Sequence, residues 1–176
     1  MREHGAQALS LRELARDVGV SHAAPRRHFA DRQALLDALA DAGFARLGAE
    51  LRAAAEASGD EFEDRLQAVG TAYVRFATRD AALLELMFAG KYREASGPLH
   101  DAATEAFAII RELIHQGQQL GALEPGDPES VGMALFAALQ GMASFVNAGM
   151  LDSDRLDELV PDAIARFVRG SRPSPV

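Results

Sequence analysis

The stretch SLRELARDVGVSHAAPRRHF, Ser10 to Phe29, decides how the rest of the chain is read. Ser10 stands three residues before Glu13, the spacing at which a hydroxyl and a carboxylate satisfy the first free amides of a helix reciprocally. Leu9 and Leu14 flank that start as a hydrophobic staple does. Leu11, Leu14, Ala15 and Val18 then fall at i, i+3, i+4 and i+7, one apolar stripe on a helix of about two turns. Gly19 comes next, a residue type that takes a left-handed backbone at a helix end without a Cβ clash. Ser21 is placed to cap a second helix, His22 to Phe29. Two short helices joined by a tight glycine-containing turn form a helix-turn-helix, a motif whose second helix enters the major groove of DNA.

The second helix carries the chemistry such a role needs. Arginine bonds guanine through two parallel N–H groups or holds phosphate, and histidine and serine donate to either. The candidate DNA-contacting residues are Ser21, His22, Ala23, Ala24, Arg26, Arg27 and His28, with Arg32 just beyond. On its own, an arginine pair on a helix more often marks a solvated surface than a nucleic-acid interface.

The residues after the turn add specificity. From Gly19 to Leu36 the chain reads GVSHAAPRRHFADRQALL, which resembles the TetR family of bacterial repressors. The matching residues are His28, Phe29, Asp31, Arg32, Leu35 and Leu36, and the likeness covers about the first 45 residues. It implies a DNA-binding head, a helical body that binds small apolar or amphipathic molecules, and a homodimer formed through the last two helices. Two departures stand out. The family usually places an aromatic residue where Arg26 stands, so the backbone contact here is expected to be ionic. The family's first helix is largely missing, Met1 to Gly5 resembling only its end, and Leu11, Leu14 and Val18 lose cover at about 25 cal/mol per Å2 of apolar area. The competing reading is a truncated helical sensor or dimerisation module that binds ligand but not DNA.

Composition agrees with an all-α chain. At 176 residues there is ample length for a buried core, with one or two domains. Cysteine is absent, which excludes disulfides and thiolate metal sites. No secretory leader and no membrane-length apolar run is read, so the cytoplasm is the expected compartment. The net charge of −8 is unevenly spread. Residues 1–32 hold six arginines against four acids, whereas residues 33–176 hold 12 basic and 22 acidic residues. A mildly basic head on an acidic body orients the head toward phosphates, and two heads on a palindromic operator supply the affinity one lacks.

Beyond Phe29, Asp31 is read as the cap of a long helix through Leu35, Leu39, Phe44 and Leu51 to about Ala57, broken by Ser58-Gly59-Asp60. The expected domains are 1–46 for DNA binding and 47–170 for ligand binding and dimerisation, with a disordered tail at 171–176. Helices are expected over 61–78, 81–88, 99–117 and 129–148, with a last one from Leu156 to Arg169. Tyr73, Phe76, Met87, Phe88, Tyr92, Phe107, Ile110 and Gln140 are the candidate effector-lining residues, an apolar set with a few polar groups. The segment FAALQGMASF resembles a Trp-x-x-x-His-Gly motif of some TetR bodies, with Phe136 at the Trp position and Gln140 at the His position.

The 129–148 helix is apolar nearly all round and rich in small residues, so one side has to be buried outside its own core. The expected homodimer interface is Val131, Leu135, Ala138, Met142 and Phe145, with Leu156, Val160, Ala163 and Phe167 from the last helix. No cofactor, metal or catalytic site is read. The five histidines never stand three or four apart, the glycines are dispersed, and no serine has a local histidine partner.

Overall fold

Asp31 opens the first described helix as its sequence suggests, its carboxylate accepting from the Ala34 amide at 2.8 Å. The computed structural model describes residues 31–91 and 98–173, so the stretch Ser10–Phe29, with the candidate reader residues Ser21 to His28, lies outside the described residues, as does Tyr92. Among the described residues every regular element is a helix: α1 (Arg32–Ala57), α2 (Phe62–Arg79), α3 (Ala81–Lys91), α4 (Pro98–Ala106), α5 (Ala108–Gln119), α6 (Pro128–Asn147) and α7 (Leu156–Gly170). A 3-10 turn, Ser153–Arg155, precedes α7. The chain is all-α.

These helices fall into two compact units, Met1–Arg46 with Asp80–Ala106, and Leu47–Arg79 with Phe107–Val176. α1 contributes its first half to one unit and its second half to the other. In the first unit Leu35 and Leu39 of α1 are buried against Ala82 and Leu86 of α3. Gly43 brings α1 close to α3: a Cβ there would lie 2.7 Å from the Met87 sulfur. Phe44 meets Phe88 edge to face at 6.3 Å, and Arg46 pairs with Asp80 at 2.7 Å.

In the second unit α2 is the central element, packed on α5, α6 and α7. Its inward stripe is Phe62, Leu66, Val69, Tyr73 and Phe76, the i, i+4, i+7 pattern of a helix with one buried face. Gly70 widens that face, since a Cβ there would lie 2.7 Å from Ile164 of α7. α6 begins at Asp127, whose carboxylate accepts from the amide and hydroxyl of Ser130, and Pro128 occupies the first turn, where its missing amide costs nothing. Arg65 bonds Gln116 at 3.0 Å, and Asn147 donates to the Ala77 carbonyl at 3.1 Å.

Two local expectations change. The single helix expected over 99–117 is two, because Phe107 leaves helical geometry at φ −91°, ψ 4°. No glycine or proline marks that break. The Phe107 ring packs instead on Tyr73 and Phe136, at 6.3 and 5.7 Å between centroids, so packing outweighs local propensity. α3 runs on to Lys91 rather than ending at Phe88. Pro161 stands inside α7. At the C-terminal end the Ser171 carbonyl accepts from the Glu124 amide.

Candidate functional site

Two places in the described residues bear on function, an aromatic and amide cluster in the second unit and the outer face of α6. The cluster starts from Tyr73, whose position on the inward stripe of α2 leaves it fully buried. A buried phenol has to use its hydrogen, and it donates it to Oε1 of Gln140 on α6. Burial pushes the Tyr73 phenol well above its usual range, which keeps it a neutral donor, and no nearby charge contributes to the shift. Phe136, one helical turn before Gln140, lies 5.4 Å from Tyr73, and Phe107 closes the group, edge-on to Phe136 at an interplanar angle of 82°. Gln140, Phe107, Phe136 and Ile110 are each only partly buried.

Of the candidate effector residues, then, Tyr73, Phe107 and Gln140 come together. Phe76 is fully buried, with the Arg79 guanidinium 5.6 Å above its ring and Arg79 itself paired with Glu50 at 2.9 Å. Met87 and Phe88 belong to the first unit, where they pack against α1. Phe136 is the member that sequence reasoning left out of the lining set. Its place one turn from Gln140 in the FAALQG segment was the signal.

The second place is α6. Leu135, Leu139 and Ala143 are its buried residues, and Gly132 lies against Ile114 of α5. The opposite face stays open. Met133 and Phe145 are 52% and 53% exposed, Ala134, Ala137, Ala138 and Ser144 are exposed too, and a Cβ added at Gly141 would meet nothing within 4 Å. Of the residues read as an interface, Leu135, Leu156 and Val160 are buried inside this chain because they point toward its own core. Val131, Met142, Ala163 and Phe167 are half-buried, and Ala138 and Phe145 lie on the open face. By length and composition α6 is also apolar enough to cross a membrane, which qualifies the absence of such a run read from the sequence. One of its faces, however, packs on α2, α5 and α7. Arg32, the described residue of the DNA-contacting set, is exposed at the start of α1.

An all-helical body with a half-buried aromatic cluster and an uncovered helix face, preceded by a segment patterned as a helix-turn-helix, defines a class of regulator. Residues 1–39 match the family model for bacterial regulatory proteins of the tetR family, and residues 66–167 match that of the tetracyclin repressor-like C-terminal domain. The chain belongs to the TetR family of transcriptional regulators. It is similar to a solved structure described as a protein with unknown function from Rhodococcus sp. RHA1, at 41% identity and a TM-score of 0.79 over 94% of this chain and 86% of that one. No curated protein matches it.

Proposed function

We propose that the protein is a one-component repressor that binds a palindromic operator as a homodimer and leaves it when a small apolar or amphipathic molecule binds the body. The observation that carries the dimer is the open face of α6. Apolar side chains there surround alanines and a glycine with free space above it, so a second helix can approach closely and bury what one protomer leaves in water. That interface consists of Ala138, Phe145 and Met142 with Met133, Ala134, Ala137 and Gly141, flanked by Ala163 and Phe167 of α7. Residues 1–46 form the DNA-binding domain, with Ser21, His22, Ala23, Ala24, Arg26, Arg27, His28 and Arg32 as its contacts, and residues 47–170 the ligand-binding and dimerisation domain.

Tyr73, Phe107, Phe136 and Gln140 receive the effector. For release to result, the effector has to bind the non-DNA-binding arrangement more tightly than the other; equal affinity for both shifts nothing. The operator, a second copy of the chain and the effector are the partners, and the cytoplasm is where they meet. The test is a mobility-shift titration on DNA flanking the protein's own gene at several salt concentrations. Preferential retardation of one fragment over random DNA is the expected result, and equal binding to all fragments overturns the repressor reading.

A further inference from the structure

The Tyr73–Gln140 pair fixes which way the Gln140 amide faces. The buried phenol has one hydrogen to donate, and only the carbonyl half of an amide accepts it. Oε1 is therefore turned toward Tyr73, and the NH2 group is turned away from it. Gln140 is only partly buried, and among the described residues its NH2 group, a hydrogen-bond donor, has no acceptor. Two aromatic rings, Phe107 and Phe136, pack on the Tyr73 side of the pair. Among the described residues no charged side chain is buried, and burial is the sole cause of the Tyr73 shift. A carboxylate or ammonium pressed against these rings would lose hydration, and among the described residues no buried charged side chain stands ready to compensate it.

We propose that the effector recognised at this cluster is an uncharged molecule with an aromatic or apolar body and a hydrogen-bond acceptor, a carbonyl or ether oxygen, that takes the free N–H of Gln140. Tyr73 is the positioning residue. It holds the amide so that a donor rather than an acceptor is presented, which selects for ligand acceptors and against ligand hydroxyls that have to donate. The rings supply contact area and the amide supplies selectivity. This rests on the effector site placed at the same cluster above, and adds the chemical class that the site takes.

The test uses the whole protein without DNA and three probe pairs of matched shape: the ketones acetophenone and 2-acetylnaphthalene, the alkenes α-methylstyrene and 2-isopropenylnaphthalene, and the anions benzoate and 2-naphthoate. Affinities are read by ligand-observed NMR titration. Each ketone is expected to bind about tenfold tighter than its alkene isostere, the scale of one desolvated hydrogen bond, with the carboxylates weaker still. Gln140→Leu brings ketone and alkene level. Tyr73→Phe keeps the alkene affinity but reduces the ketone advantage, because the amide is free to turn over. Tyr73→Phe/Gln140→Leu removes both polar partners together and is the least disturbing replacement, so it serves if either single variant melts early. Alkenes or carboxylates binding as well as ketones, a ketone preference that survives Gln140→Leu, or no binding by any probe each overturns the proposal. Because no DNA is present, these outcomes leave the operator-binding test untouched, and a failed mobility shift leaves the ketone preference standing.

Discussion

At Gly117 a single missing Cβ holds part of the body together. A methyl there would sit 2.5 Å from the Phe62 ring and 2.8 Å from Leu123. Gly117→Ala is therefore expected to destabilise the protein by about 1–3 kcal/mol, read from urea unfolding at constant slope. Gly141→Ala tests the opposite situation. In a lone protomer the added methyl meets nothing, so it is expected to stabilise the helix by about 0.5–1 kcal/mol while weakening dimerisation, if a second helix lies over that face. Melting dilute and concentrated samples separates the two effects, and a variant that melts higher at both concentrations argues against close helix approach at Gly141. Such differences between glycines are not legible in the sequence. Both stand inside helices, and only the neighbours brought by folding distinguish a filled space from an empty one.

The helices themselves were largely legible, because capping, periodicity and breaks are local. Asp31 caps α1 as its place in the sequence indicates, and Gly59, with φ +87°, comes after the helix at the break read from Ser58-Gly59-Asp60. Phe107 was not legible, since its break comes from ring packing across α2 and α6. Nor was the division of α6 into faces, because a helix apolar all round does not announce which side its own chain covers. Leu135 proves to be core, so Leu135→Ala is expected to cost about 2–5 kcal/mol of stability. Ala138→Arg on the open face is expected to leave the circular dichroism spectrum and the protomer fold intact and halve the mass in light scattering. A monomer mass for the unaltered protein at micromolar concentration would contradict the dimer. At the start of α6 the Ser130 hydroxyl and amide hold the Asp127 carboxyl below its ordinary value of 3.8. A depressed folded pKa means that the stabilisation is present above 3.8 and is lost as pH falls through the folded value. The exposed carboxylate makes the effect small, so Asp127→Asn is expected to lose a shallow acid-side drop in melting temperature and little else.

For the whole molecule, the cluster and the α6 face are two parts of one regulator, joined in sequence to a head that carries Arg26 and Arg27. Tyr73, Phe107 and Gln140 were found among eight candidate residues because amide and aromatic types at helical spacing are visible in sequence, whereas which of them meet is decided by helix packing. If Arg27 holds phosphate, Arg27→Ala weakens binding to every sequence alike and lowers the salt slope by about one; if it reads a base edge, preference changes at one position. The most direct measurement is a mobility-shift titration of the unaltered protein and of Ala138→Arg on the DNA flanking the gene, against random DNA of equal length. The expected result is a complex of two protomers on one palindromic fragment, formed well below the concentration that retards random DNA, and lost or greatly weakened for Ala138→Arg. Equal binding of all fragments, or full operator affinity retained by a monomeric Ala138→Arg, would contradict the dimeric repressor.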